Sequence, residues 1–215
     1  MWPQIQSQLE TALASTFFPR LVNDPAYTDF LHEAGVQATA QAFASGNAAD
    51  LRNVAKLRAS LFVNDIRSRM AVDEGSLRFQ LLKGATLYRA ASSMAKGSPS
   101  GIWWFTDDIW QRCLREAGPQ SANRVHWLHR NLAVCYDWSN CDRIVKLEVH
   151  APYEIPAVQG IGSPKTRFDS PRMFGQPLPG IVHKSTLHGG LPGGIMQTIL
   201  PFIPRLEIRS VMKLR

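Results

Sequence analysis

The sequence predicts an α+β fold: a helical region over residues 1–80, then a mostly β region over 81–215. Three observations carry this. Up to about residue 80, apolar residues recur at helical spacing. From about 81 they fall into short runs, several alternating with polar residues as half-buried strands do. These runs are punctuated by glycine and proline, of which the chain has 15 and 14, crowded between 156 and 194. Helices grouped before strands, rather than alternating with them, predict segregated layers.

The elements follow in order. Ile5, Leu9, Leu13 and Phe17 recur every fourth residue and form one face of a first helix. Asn23-Asp24-Pro25 is a break and a restart. Ala34–Phe43 and Leu51–Met70 carry further helical patterns, separated by Gly46-Asn47. Asp50 is placed to cap the second of these, and Leu51, Val54, Leu57, Leu61 and Ile66 supply its apolar stripe. This front has no residue cluster that suggests chemistry, so it reads as scaffold or partner-binding surface. Thr86–Ala90 is a strand, followed by a small polar loop and an Ile102–Phe105 strand. Thr106-Asp107-Asp108 starts a helix, since a hydroxyl or carboxylate caps and acidic residues suit the positive end. It runs through Trp110 and Leu114 to a stop at Gly118-Pro119. Val125–Val134 fits either type. Arg143–His150 is a strand through Ile144, Val145, Leu147 and Val149. Residues 156–194 read as a long functional loop. Ile195–Leu200 is a strand, Pro201 and Pro204 make a turn, and Leu206–Val211 alternates as the last strand.

With 215 residues and 45% hydrophobic content, the chain can build a core and is not a disordered polymer. The 24 Lys and Arg against 17 Asp and Glu give a net charge of +7, which favours polyanionic partners, nucleic acid above all. Cys113, Cys135 and Cys141 are odd in number and lack CxxC spacing, which argues against a disulfide framework and a zinc finger. A reducing cytoplasm, of the producing or a target cell, suits such thiols. Met1-Trp2-Pro3-Gln4 has neither the basic nor the apolar region of a secretory signal, although specialised secretion needs none. No apolar run approaches the roughly 20 residues of a membrane helix, so no membrane partner is expected.

The sharpest pattern is Leu87-Tyr88-Arg89-Ala90 followed by Gly101-Ile102-Trp103-Trp104-Phe105-Thr106. Arg89 ends an apolar strand with a planar fork suited to phosphate. The aromatic run offers a wall for a flat heterocycle, although such rings are as often core. Alternation places Trp103 and Phe105 on one strand face and Trp104 on the other. A ligand with a diphosphate and a ring, such as a dinucleotide, fits this pair, and no Rossmann fingerprint is present. Gln197, after the Gly189–Gly194 cluster, can donate to and accept from a ribose hydroxyl. That cluster is not a P-loop, since GK[ST] is missing. Glu148 and Glu207 alternate with apolar residues and read as solvent-facing. His126 and His129 are three apart with no third ligand in view, so no metal is expected. His183 and His188, flanking Ser185-Thr186, read as solvated loop residues, and no nucleophile signature such as GxSxG is present.

LYRA, G-x-WWFT opening a helix, the VKLEV strand, GG-x-x-GG-x-MQTILP and IPRLEIRSV come in an order that resembles the mono-ADP-ribosyltransferase superfamily, especially its small bacterial toxin-like members. The resemblance covers roughly 81–215. It implies a split β core that binds NAD as substrate in a cleft, with 1–80 left as a separate helical region. It implies that Arg89 contacts NAD phosphate and ribose, that Thr106 supports the active site, and that Tyr88, Trp104 and Phe105 lie by the cofactor. Gln197 stands where that family has its catalytic glutamate. A neutral amide offers no full charge to a developing cation, so Glu207, Asp107 or Asp108 is the alternative carboxylate. The implied activity is transfer of ADP-ribose to a macromolecule, with nucleic acid placed ahead of protein. NAD hydrolysis and a catalytically degenerate partner-binding module are the alternatives. An antitoxin, an immunity protein or a chaperone is the implied partner of the helical front.

Overall fold

The front of the chain is helical in the computed structural model, which describes residues 1–19, 45–68, 72–92, 102–134, 139–149, 154–163, 172–173, 176–177, 191–201 and 208–214. Helix α1 (Trp2–Ala12) buries Trp2, Ile5, Leu9 and Ala12. A four-residue step overshoots the 3.6-residue turn by about 40°, so the Ile5–Phe17 stripe would wind off the core. A π turn over Leu13–Phe17 widens the helix there, and Phe17 and Phe18 both return to the interior. Helix α2 (Ala48–Ser68) packs on α1. It starts earlier than the sequence indicates. Asn47, not Asp50, supplies the cap, accepting from the Ala49 N–H at 2.8 Å. Asp50 instead lies in the first turn and accepts from Ser45.

The remainder is an antiparallel sheet with two helices inserted. The strands are β1 (Arg78–Leu82), β2 (Thr86–Ala91), β3 (Trp103–Thr106), β4 (Arg143–Glu148), β5 (Ile155–Ile161), the two-residue pair β6 (Arg172–Met173) and β7 (Gln176–Pro177), β8 (Met196–Ile199) and β9 (Ile208–Lys213). Seven of them form one sheet in the order β1-β5-β8-β3-β2-β4-β9. The α+β class is therefore observed. Four strands were not expected: β6 and β7, which lie within the supposed 156–194 loop, and β1 and β5. β1 contains residues on both sides of 80/81, and β5 occupies the start of the supposed 156–194 loop.

Helix α3 (Asp107–Ala117) starts and stops where expected, with Gly118 at φ 69°. Thr106 precedes it without making a side-chain cap, contrary to expectation, and leaves the acidic first turn of Asp107 and Asp108 to meet the helix dipole. The ambiguous Val125–Val134 stretch lies in helix α4 (Ser121–Leu132) and the left-handed residue Ala133 that ends it.

The sheet buries both faces. A larger core joins α1 and α2 to the strands through Leu9, Leu13, Ile66, Leu87, Trp104 and Ile199. A second lies beneath α3 and α4 and holds Tyr88, Phe105, Trp110, Trp127, Leu128 and Ile144. The Asn23-Asp24-Pro25 break, the Ala34–Phe43 helix, Cys135, the loop residues His183, Ser185, Thr186 and His188, Gly189-Gly190, Leu206 and Glu207 lie outside the described residues. Among those described, no helix is long and apolar enough to cross a membrane.

Candidate functional site

Strands β2 and β3 meet over only two residue pairs, Leu87↔Thr106 and Tyr88↔Phe105, whereas β2 and β4 pair over six. Beyond this seam the strands part, and Arg89 fills the opening. Its Nη1 donates to the Trp103 carbonyl at 3.0 Å, a group the ladder would otherwise use. Burial pushes the Arg89 pKa down to about 10, and the neighbouring Cys141 acts the other way. The side chain remains cationic at neutral pH. A desolvated cation at a break in a sheet is a natural anion site.

The pleat assigns faces. Leu87, Arg89 and Ala91 share one face of β2, and the register puts Thr106 and Trp104 on it. Trp104↔Thr198 adds Thr198 to that face, so Gln197 lies on the other. The three motifs thus come to adjacent strands, β8, β3 and β2, but Gln197 does not share a face with Arg89.

Gln197 is buried, and its amide nitrogen donates to the Leu132 carbonyl at 2.8 Å. The Gly193 N–H donates to the Arg130 carbonyl at 3.2 Å. Both acceptors lie in the last turn of α4, where carbonyls lack helical partners. Gln197 and Gly193 therefore cap α4 and tie it to the sheet. The tie is close: a Cβ at Gly162 would run into Gln197 Nε2, and one at Gly193, whose φ is +63°, would stand 2.6 Å from the Gly162 carbonyl oxygen. Gln197→Ala should cost about 1–3 kcal/mol by stranding the buried Leu132 carbonyl. Gln197→Glu should cost at least as much, because a carboxylate cannot donate and is repelled by a helix C-terminus. Urea unfolding checks this, and a Gln197→Glu protein as stable as wild type would refute the tie.

The aromatic residues are packed inside. Trp104 is 1% exposed in the larger core, and Tyr88 and Phe105 are buried in the second. Tyr88 stacks on Phe105 and Trp110 with centroids 6.1 and 5.7 Å away. Burial and a hydrogen bond to Asp107 push the Tyr88 hydroxyl up to about 12. Trp103 is half-buried and packs against the larger core, and its backbone carbonyl receives the Arg89 contact. Thr106 is also half-buried.

Other candidates have local partners. Asp107 accepts from Gln111 at 3.4 Å, and Glu148 pairs with Lys146 at 2.6 Å. Asp108 is exposed in the first turn of α3. His126 is exposed, whereas His129 is buried and its Nδ1 donates to the Val134 carbonyl at 2.7 Å. Cys141 Sγ lies 3.9 Å from that nitrogen, which is therefore no base for it. Burial pushes the Cys113 and Cys141 thiols up to about 12, so both stay protonated and unreactive. Among the described residues no three His, Cys, Asp or Glu side chains are grouped to hold a metal. No family model, curated protein or solved structure matches the chain.

Proposed function

We propose that the protein is an NAD-dependent ADP-ribosyltransferase of toxin type, with NAD held at the β2–β3 seam. One observation carries the reading: Arg89, a desolvated cation, lies just beyond the short β2–β3 pairing, with Thr106 on the same face of the adjoining strand. In this reading Arg89 holds the diphosphate and the Thr106 hydroxyl, not used by the α3 cap, orients the ribose. The bond from the ribose carbon to nicotinamide breaks, and nicotinamide leaves with the electron pair. A nucleophile on the acceptor bonds to that carbon and gives its proton to solvent. Without an acceptor, water takes that place and the protein is an NAD hydrolase. The net charge of +7 favours nucleic acid over protein as acceptor.

Incubation with adenine-labelled NAD and cell lysate should leave label on nucleic acid, and nuclease should remove it. Label removed only by protease would move the acceptor to protein. Free nicotinamide without labelled macromolecule would favour hydrolysis, and intact NAD would refute the enzyme. Gln197 supports a second reading, a partner-binding module with a degenerate cleft, because its amide is committed to α4 and carries no charge. Calorimetry separates the two, since a degenerate cleft gives no saturable heat with NAD.

A further inference from the structure

We propose that Arg143 is a second anion-holding residue beside Arg89, and that the two guanidiniums form a clamp for the diphosphate of a nucleotide. The proposal rests on the nucleotide-binding reading above and extends it to a residue that the motifs do not contain.

The register brings the two arginines together. β2 and β4 pair with Ala91 opposite Arg143 and Arg89 opposite Val145. Arg89 and Arg143 are thus diagonal neighbours on one sheet face. Such positions lie roughly 7–8 Å apart, within reach of long side chains. Two adjacent strands therefore bring two cationic positions together at one end of the sheet. Like charges on neighbouring strands repel, and an anion seated between them removes that repulsion.

Two unsatisfied atoms lie close together in the chain. The Nε–H of Arg143 is buried and has no hydrogen-bond partner, and Oδ1 of Asn140 is in the same state. Buried polar atoms nearly always find partners, so each exception needs an explanation. A donor on a cation is what a phosphate oxygen accepts from, and an amide oxygen is what a sugar hydroxyl donates to. The Arg89 guanidinium, which donates to the Trp103 carbonyl, is also close enough to Cys141, the residue after Asn140, for the two to interact electrostatically. Lys146, the other cation of β4, lies on the opposite face, across from Tyr88, and is paired with Glu148. It takes no part in the clamp.

The full chain is titrated calorimetrically with NAD, ADP-ribose, inorganic pyrophosphate and nicotinamide riboside, as wild type, Arg143→Ala, Arg143→Lys, Arg89→Ala and the double variant. Arg143→Ala should weaken ADP-ribose binding about 10- to 100-fold. Arg143→Lys should recover only part of this, because a point charge does not reproduce the fork. The double variant should lose less than the sum of the two, since both arginines hold one group. Nicotinamide riboside, which has no phosphate, should bind wild type and Arg143→Ala alike. The melting temperature of Arg143→Ala should hold or rise, because an unsatisfied donor and a repulsion are removed. A fall in melting temperature with equal losses for nicotinamide riboside and ADP-ribose would make Arg143 structural and overturn the clamp. Wild type binding ADP-ribose no better than Arg143→Ala would overturn the clamp and leave the nucleotide reading standing. Pyrophosphate binding that depends on Arg143, without NAD or ADP-ribose binding, would keep the clamp and overturn the nucleotide reading. No binding of any probe would overturn both.

Discussion

Arg89→Ala should lower NAD affinity, and any nicotinamide release with it, by roughly 30- to 1,000-fold, the loss of a bidentate charge-assisted contact worth about 2–4 kcal/mol. Arg89 has a structural task as well. It donates to the Trp103 carbonyl in the gap between β2 and β3, so the alanine variant also strands that acceptor. A stability loss of about 1–3 kcal/mol should accompany the change. Arg89→Lys separates the two tasks. An ammonium can still donate one hydrogen bond to Trp103, which should restore most of the melting temperature. It cannot present two parallel N–H groups to a phosphate, so affinity should stay low. If lysine restored affinity and stability together, Arg89 would act as a point charge. If neither variant changed nucleotide binding, the site would lie elsewhere.

The helix-then-sheet order was legible because the two halves have different periodicities. Arg89 stood out as a cation in an apolar run, but it does not end the strand, which continues through Ala90 and Ala91. β5 was hidden because it is buried almost throughout, so it shows no alternation, and Pro156 and Gly160 within it read as loop residues. Pro156 sits second in the strand, where the missing N–H is tolerated. β1 was hidden for the opposite reason. It exposes Arg78, Gln80 and Leu81 and has no clean stripe, being the outermost strand of its sheet. α4 was ambiguous because His129 and Arg130 interrupt its apolar stripe. The side of the sheet on which each motif residue falls is a matter of register, which no single segment encodes. Gln197 could be read as a strand glutamine near a glycine cluster, but its partner, Leu132, lies 65 residues away. Arg143 opens a strand and reads as ordinary surface charge until pairing with β2 sets it beside Arg89.

Trp104→Ala should destabilise the fold by about 3–5 kcal/mol, the range for removing a buried indole or phenyl ring. That is a large share of the roughly 5–15 kcal/mol that holds a domain together. Trp104 is among the largest fully buried side chains, in the core where α1 and α2 meet the strands. Because this core spans the helical front and the sheet, the loss should lower a single unfolding transition seen alike by far-ultraviolet dichroism and tryptophan fluorescence. Two transitions, with only the later one shifted, would mean that the front folds on its own. Trp104→Phe keeps an aromatic ring and most of the volume, and should cost less than the alanine change. The same pair of variants decides between the two roles open to the WWFT aromatics. A core residue loses stability from both substitutions in proportion to volume, and nucleotide affinity measured well below the melting temperature stays near that of wild type. A residue stacking on the ligand shows the reverse, with affinity lost while the melting temperature holds. Burial predicts the first result for Trp104.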